Sequence, residues 1–243
     1  MTDSISINTR ILLLNYFDHH RISYDEDIIT KFMRFMEIVL DYNKRINLTA
    51  IKDEEDFIIK HFLDSLICCK WEMVLNARKI IDVGTGIGFP GIPLAILLSD
   101  KNFFLIDSRR KRLAVLNEVI KKIGLHNVEL IHKRAEDLAH DKRFRESFDL
   151  CVSRAVADLK VLAELCIPFI KLDAYMLAYK GKNQDTEVRE ARNAILTMGG
   201  HVEEVRTMEI ENNHRSIVVI KKENNTPIRY PRKAGKPLKM PIY

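Results

Sequence analysis

The sequence has few cysteines, and they show no pattern of metal binding. None of the four has C-x-x-C spacing or a histidine pair of the zinc type. We therefore predict reduced, mostly buried thiols and no metal site. The cysteines are Cys68, Cys69, Cys151 and Cys166.

Long apolar runs are also missing. The apolar run at residues 92–98 is far too short to span a bilayer. The first residues, Met-Thr-Asp-Ser-Ile-Ser, lack the basic and then apolar layout of a signal peptide. These absences predict a cytoplasmic protein that does not act at a membrane.

The remaining composition is that of a soluble globular protein, with 47% hydrophobic and 30% charged residues. A chain of 243 residues suits one substantial domain with an extension, or two small domains. The formal net charge of +5 permits an anionic partner without requiring one.

The chain divides into three parts by pattern. Apolar residues at helical spacing over residues 25–42 and 57–66, with a weaker run at 11–17, predict a helical cap over residues 1–76. Residues 43–49 look like a polar connector inside this cap. Residues 77–222 alternate strands and helices, which predicts βαβ units and a parallel sheet. Residues 223–243 are basic and rich in proline, which predicts an arm or an ordered strap.

Predicted strands and helices alternate up to the fifth strand. A helix over residues 159–170 precedes that strand. Residues 211–214 separate the last two strands and give a hairpin signal. The predicted strands cover residues 80–83, 102–106, 128–131, 148–152, 174–179, 202–210 and 216–221.

A glycine-rich turn follows the first strand. Gly84, Gly86 and Gly88 can adopt positive φ and allow a ligand to approach the backbone. Pro90 fits the first turn of the next helix. The spacing from Gly86 to Gly91 matches G-x-G-x-x-G, a weak signal that suggests NAD. Two features favour S-adenosylmethionine instead. Asp82 can reach the amino group of this cofactor, and the terminal hairpin suits a methyltransferase sheet, whose last strand is antiparallel.

Polar side chains follow the other strands, at the sheet edge where ligands bind in open α/β sheets. Asp107 is placed to accept hydrogen bonds from both ribose hydroxyls, or to cap a helix. Arg154 is either a cofactor or RNA contact or an ordinary ion pair. His61 and Asp64 are either structural or line the substrate side from the cap.

Five segments together resemble the small-subunit ribosomal RNA methyltransferase G family, also called glucose-inhibited division protein B. The resemblance covers nearly the whole chain. The segments are Asn47-Leu-Thr49, residues 61–66, residues 82–91, Ser153-Arg-Ala155 and residues 230–237.

The resemblance implies an α/β fold of the class I (Rossmann-like) S-adenosylmethionine methyltransferase type. Its sheet would have seven mostly parallel strands with an antiparallel last strand. The implied activity is N7-methylation of one guanine in the decoding-region loop of 16S rRNA, with S-adenosyl-L-methionine as donor. Family cofactor contacts correspond to Gly84, Phe89, Ala135, Glu136 and Arg154, with Asp107 at the ribose. We add Asp82 and Gly86 as cofactor-binding candidates.

This chemistry needs no general base, because guanine N7 carries a free lone pair. We therefore assign Arg154 a positioning role. The target base must be unpaired, because A-form RNA hides N7 in a narrow groove. The predicted partner of a monomeric enzyme is 16S rRNA or the small ribosomal subunit. Candidate RNA contacts are Lys44, Arg45, His61, Arg109, Arg110, Arg232 and Lys236. An NAD-dependent oxidoreductase and a non-catalytic RNA-binding protein are the alternatives.

Overall fold

A seven-stranded sheet runs through the computed structural model, which describes residues 7–181, 184–211 and 213–243. The strand order is β3-β2-β1-β4-β5-β7-β6. The pairs among β1 to β5 are parallel, and β7 runs antiparallel to both β5 and β6. The predicted sheet with an antiparallel last strand is confirmed. The strands are β1 Lys79–Val83, β2 Asn102–Asp107, β3 Val128–His132, β4 Phe148–Arg154, β5 Ile170–Lys180, β6 Gly200–Ile210 and β7 Asn213–Lys222.

The helices lie before, between and after these strands. The segment Glu54–Leu66 is helical throughout and contains a π-helix, a form that is frequent at functional sites. Before the sheet come α1 Ile7–His19, α2 Glu26–Ile46, α3 Glu54–Phe57, the π-helix Ile58–Leu63, α4 Asp64–Leu66 and α5 Glu72–Asn76. The others are α6 Gly91–Leu97, α7 Arg110–Ile123, α8 Ala135–Leu138, α9 Leu159–Cys166, the 3₁₀-helix Ile167–Phe169, α10 Gln184–Thr197 and α11 Lys236–Lys239.

Several predicted boundaries are wrong by a few residues. Helix α2 continues through Ile46 and ends at Asn47, whose φ of 41° is tolerated by asparagine. Lys44 and Arg45 therefore lie in a helical turn rather than in a connector, where cations interact favourably with the helix dipole. Pro90 precedes helix α6, which begins at Gly91.

The helix predicted over residues 159–170 is also too long. Helix α9 ends at Cys166, and a 3₁₀ turn containing Pro168 follows it, because proline cannot continue the α-helical hydrogen bonds. Strand β5 then begins at Ile170, earlier than predicted. Residues 1–6, which carried the signal-peptide argument, and Asn212 of the predicted hairpin turn lie outside the described residues.

Two hydrophobic cores cover the two faces of the sheet. One contains side chains of the N-terminal helices together with those of α6 and α7, and the other contains those of α9 and α10. Strand β1 contributes Ile80 to the first core and Ile81 and Val83 to the second, as the alternation of side chains along a strand requires. The helices before β1 thus share a core with one face of the sheet. All four cysteines are free and buried.

The C-terminal tail is an ordered strap, one of the two forms predicted for it. The Lys222 ammonium is fully buried and donates to Glu146 at 2.7 Å and to the Thr226 hydroxyl at 3.1 Å. Arg145 donates to the carbonyl oxygens of Thr226 at 2.7 Å and Tyr230 at 2.8 Å. These contacts fix the first part of the tail against the sheet domain. Within the described parts of the chain, every helix is too short or too polar to cross a membrane.

Gly88→Ala should destabilise the protein more than Gly124→Ala. Both glycines have positive φ, which costs other residues about 1–2 kcal/mol. A Cβ at Gly88 would also lie 2.6 Å from Ile92 Cγ1 and 2.9 Å from Leu116 Cδ2, whereas nothing lies within 4 Å at Gly124. Overpacking should add about 1–3 kcal/mol for Gly88→Ala. Denaturant unfolding measures both losses, and equal losses would contradict the prediction.

Candidate functional site

A pocket of about 350 Å³ lies where the first four strands end, and we call it the strand-end pocket. Its volume is within the range of small-molecule sites. It is lined by residues that end or follow β1, β2, β3 and β4, which the parallel sheet brings to one edge. Among the predicted cofactor residues, Gly84, Asp107, Ala135 and Glu136 line it. Lys133 and Arg134, which were not singled out from the sequence, line it as well.

The glycine turn is held by buried backbone and carboxylate contacts. The amides of Gly84 and Thr85 donate to the carbonyl of Ile106 at 2.9 and 3.1 Å. Gly84 has a φ of 73°, and a Cβ there would come within 2.4 Å of Val156 Cγ2, so glycine is strongly favoured. Asp82 is fully buried and accepts a hydrogen bond from Gly91 N at 2.9 Å. It thereby fixes the start of α6 beneath the turn.

Burial is the largest influence on the pKa of Asp82. It raises the pKa of this carboxyl to about 7, against the opposing effects of the nearby Thr85 hydroxyl and of the hydrogen bond from the Gly91 amide. Its predicted contact with a cofactor amino group stays a prediction.

Asp107 lies at the end of β2 and contacts two backbone amides. Its Oδ1 accepts from Arg109 N at 2.7 Å, at the start of α7, and its Oδ2 accepts from Gly86 N at 3.0 Å. The carboxylate therefore joins the end of β2 to the glycine turn. Each carboxylate oxygen can accept a second hydrogen bond. The ribose contact stays a prediction.

Glu136 contacts the tail. Its side chain is buried, and its Oε1 accepts from Gly235 N at 2.8 Å. Gly235, Pro237 and Leu238 line the strand-end pocket together with Glu136. The tail is therefore part of the pocket wall.

A second pocket of about 490 Å³ lies between the N-terminal helices and the ends of β4 and β5, and we call it the cap-side pocket. Ala155 lines both pockets and has a φ of 56°, which is uncommon for alanine. The two pockets therefore share one lining residue, the one that follows β4. The cap-side pocket is lined by Ile51, Lys60, His61, Asp64, Arg154, Ala155, Tyr179, Lys180, Gly181 and Arg215.

Arg154 is the centre of a hydrogen-bond network in the cap-side pocket. Its Nη1 donates to Asp64 Oδ2 at 2.6 Å and to the Lys60 carbonyl at 3.1 Å. Its guanidinium carbon lies 5.1 Å from the centre of the Phe89 ring. The side chain is only 12% exposed, so this is not an ordinary surface ion pair.

His61 is held as a neutral ring. Arg154 Nη2 donates to its Nδ1 at 3.1 Å, so the ring proton lies on Nε2, which is 3.1 Å from the Thr49 hydroxyl. Burial, followed by the nearby Arg154 charge, lowers the pKa of His61 from 6.5 to about 3. With both nitrogens engaged, His61 has no lone pair available to act as a base.

Phe89, a cofactor candidate by resemblance, lies beneath this network. Its ring stacks on His61 with centroids 4.3 Å apart and an interplanar angle of 7°. The side chain is 4% exposed. It joins the glycine turn to the N-terminal helices.

Arg215 belongs to the site and was missed from the sequence. Its Nε donates to Asp64 Oδ1 at 2.8 Å, so one carboxylate pairs with two guanidinium groups. Strand β7 carries Arg215 to the cap-side pocket because β7 lies beside β5. Its position just after the predicted hairpin turn was the available signal.

The candidate RNA contacts fall in different places. Lys44, Arg45, Arg109, Arg110 and Lys236 are exposed, and Arg45 pairs with Asp41 in the same helix. Arg109 lines the strand-end pocket. The Arg232 guanidinium is bound to Glu164, so this side chain anchors the tail instead of facing solvent as a free cation. Among the described residues, no group of three or more His, Cys, Asp or Glu side chains could hold a metal ion.

His61→Gln should reduce the loss of stability in acid. The folded pKa of about 3 lies below the ordinary 6.5, so the unfolded chain binds a proton first as the pH falls from 6.5 toward 3. Wild-type stability should therefore fall through this window, by up to about 1.4 kcal/mol per pH unit from this group. Denaturant unfolding at several pH values measures the slope. If the unfolding free energy of the variant falls as steeply with pH as that of the wild type, the low pKa assigned to His61 is contradicted.

Sequence comparison identifies relatives over most of the chain. Residues 28–218 match the family model described as rRNA small subunit methyltransferase G. A protein from Clostridium novyi (strain NT), named ribosomal RNA small subunit methyltransferase G, is 44% identical over 223 residues, which cover 91% of this chain and 92% of the relative. A protein of the same name from Desulforamulus reducens is 48% identical over 213 residues, which cover 87% and 89%.

Comparison of structures supports the fold. The cofactor-bound structure of Rv0187 from MTB aligns with a TM-score of 0.57 at 16% identity. The alignment covers 87% of this chain and 97% of that protein.

Proposed function

The chain belongs to the rRNA small subunit methyltransferase G family, and we propose that it transfers a methyl group from S-adenosylmethionine to N7 of one guanine in the decoding-region loop of 16S rRNA. The observation that carries this proposal is that two pockets share Ala155 as a lining residue. One pocket has the glycine turn and strand ends of a nucleoside site. The other is faced by Arg154, Arg215 and Lys60.

The strand-end pocket fits S-adenosylmethionine by its chemistry. The Asp107 carboxylate has acceptor sites for ribose hydroxyls, and Val161 and Leu165 give the pocket apolar walls. When bound, the cofactor supplies an electrophilic methyl group on a sulfonium. Gly84 and Gly86 keep the turn free of side chains, so that the backbone can approach a ligand.

The cap-side pocket has the chemistry for a flipped guanine. The N7 lone pair must remain free to attack, so donors from Arg154 and Arg215 would contact O6 or a flanking phosphate. His61 has both nitrogens engaged and would act as a rigid wall. Alignment of N7 with the methyl group would then supply the rate, with no proton transfer.

We also propose roles for the three parts of the chain. Residues 1–76 form the cap that holds the guanine side, residues 77–222 bind the cofactor, and residues 223–243 form the basic strap. The protein would act in the cytoplasm as a monomer on 16S rRNA or on the small ribosomal subunit.

The proposal is tested by incubating the protein with labelled S-adenosylmethionine and small subunits from cells that lack this protein. Label should enter 16S rRNA, and cleavage at N7-methylguanine followed by primer extension should map it to one loop nucleotide. Calorimetry should show binding of S-adenosylhomocysteine and not of NADH. Binding of NADH alone would favour an oxidoreductase, and cofactor and RNA binding without transferred label would favour a non-catalytic protein.

Arg154→Ala should reduce methyl transfer on the order of 100-fold or more, because the pocket loses the group that orients His61 and faces the substrate. The variant should remain folded, since Asp64 keeps its pairing with Arg215 at 2.8 Å. Arg154→Lys is the matched variant that keeps the charge but cannot make the same set of contacts, and it should also be impaired. Single-turnover methyl transfer and thermal unfolding measure the two effects. Unchanged turnover in Arg154→Ala would remove this residue from the site.

Arg110→Glu should weaken RNA binding, while Lys121→Glu should leave it nearly unchanged. Both residues are exposed on α7, but Lys121 lies about 16 Å away along the helix, toward the opposite edge of the sheet. If Arg110 contacts one phosphate, its replacement should lower the salt dependence of binding by about one unit of slope. Filter binding at several salt concentrations measures this slope. Equal effects of the two variants would indicate a general charge effect.

A further inference from the structure

The C-terminal strap forms one side of the strand-end pocket. Gly235, Pro237 and Leu238 line this pocket together with Gly84 and Asp107, more than a hundred residues away along the chain. Composition alone suggested a basic segment for RNA. The structure gives the segment a position against the proposed nucleoside site.

Contacts before the pocket hold the strap firmly. The Glu164 carboxylate is 1% exposed and accepts hydrogen bonds from Arg232 N at 2.7 Å, Nε at 2.9 Å and Nη2 at 2.6 Å. Glu136 then accepts from Gly235 N at 2.8 Å. Charge-assisted hydrogen bonds of this kind are stronger than neutral ones. They fix where the strap enters the pocket wall.

A contact beyond the pocket holds the end of the chain. The Tyr243 hydroxyl lies 3.2 Å from Lys160 Nζ, which also lies 4.3 Å from the centre of the tyrosine ring. Lys160 in turn donates to Glu190 at 2.8 Å. Residues 236–242 therefore lie next to the pocket, between the contacts of Gly235 and those of Tyr243.

Two exposed apolar side chains line the same pocket. Leu238 is 69% exposed and Val156, which follows β4, is 38% exposed, whereas Pro237 of the strap is buried. Apolar surface at a pocket mouth gains free energy when a ligand covers it. An uncharged ring covers such side chains more favourably than a charged group does, because a charged group loses hydration there.

The position of the proposed guanine site orients the ligand. The methyl group has to face the cap-side pocket, and Ala155 is the residue that lines both pockets. The sulfonium end therefore belongs toward Ala155, and the adenosine end belongs toward the strap.

We propose that residues 235–238 of the strap are part of the cofactor site, with Leu238 in contact with the adenosine moiety and Glu136 acting as a positioning residue through Gly235. This inference rests on the proposed function and names a binding residue for the same site. The Glu136 carboxylate acts on the cofactor through the strap, since its Oε1 is bound to Gly235 N.

Calorimetry with S-adenosylhomocysteine tests the proposal on the full chain. Leu238→Ala should weaken binding about three- to tenfold through lost apolar contact. Met240→Ala is the matched control, because Met240 is similarly exposed at 62% and lies two residues further along, outside the residues that line the pocket. It should bind like the wild type. Equal affinity of Leu238→Ala and wild type, or an equal loss in both variants, would overturn the inference.

The positioning role of Glu136 has its own readout. Glu136→Ala should weaken S-adenosylhomocysteine binding, whereas Glu136→Gln keeps an oxygen that can accept from Gly235 N and should restore most of it. The double variant Glu136→Ala with Leu238→Ala should lose less than the sum of the two single losses, because both act through the strap. Fully additive losses would show that Glu136 acts independently of the strap.

Limited proteolysis of the wild type provides a measurement that needs no variant. Lys233 and Lys239 are exposed in the strap, and Lys52 is exposed elsewhere. S-adenosylhomocysteine should slow tryptic cleavage after Lys233 and Lys239 and leave cleavage after Lys52 unchanged. Cleavage of the strap at the same rate with ligand bound would contradict the inference. If the wild type does not bind S-adenosylhomocysteine at all, the proposed function fails instead.

Discussion

The site depends on the pairing of Asp64 with Arg154 and Arg215. The Asp64 side chain is 9% exposed, and an unpaired carboxylate at this depth would be costly, so at least one of the two guanidinium partners must be in place. These three residues lie on the N-terminal helices, on β4 and on β7. Their pairing therefore sets the N-terminal helices against the carboxyl edge of the sheet, which is the arrangement that brings the two pockets together at Ala155.

An aromatic stack connects this ion-pair cluster to the glycine turn. Phe89 follows the glycines, stacks on His61 and packs against Phe35 of α2 at 5.2 Å between centroids. The same packing removes His61 from water and keeps it uncharged beside the Arg154 guanidinium. The shape of the turn and the position of the N-terminal helices are thus interdependent, since neither can shift without breaking the stack.

The C-terminal tail illustrates how composition can mislead. Its basic residues predicted an arm or an ordered strap with Arg232 and Lys236 as RNA contacts, but the Arg232 guanidinium is bound to a glutamate of α9 and the Gly235 amide to a glutamate of α8. The partners Glu164 and Glu136 lie more than sixty residues before the tail residues that they bind, with nothing nearby to indicate a tail contact. A count of charges gives the sign of a segment and says nothing of which cations are already neutralised.

The sequence by itself determined the features that depend on short-range pattern. The seven strands, the glycine turn, the terminal hairpin and the family follow from periodicity and from motifs a few residues long. Tertiary structure decided which side chains meet. Arg154 and Asp64 are 90 residues apart, and Arg215 and Asp64 are 151 apart, so no local signal could pair them. The reason is physical: propensity and periodicity act over one or two turns, whereas a buried charge selects its partner only once the sheet order has placed the candidates side by side.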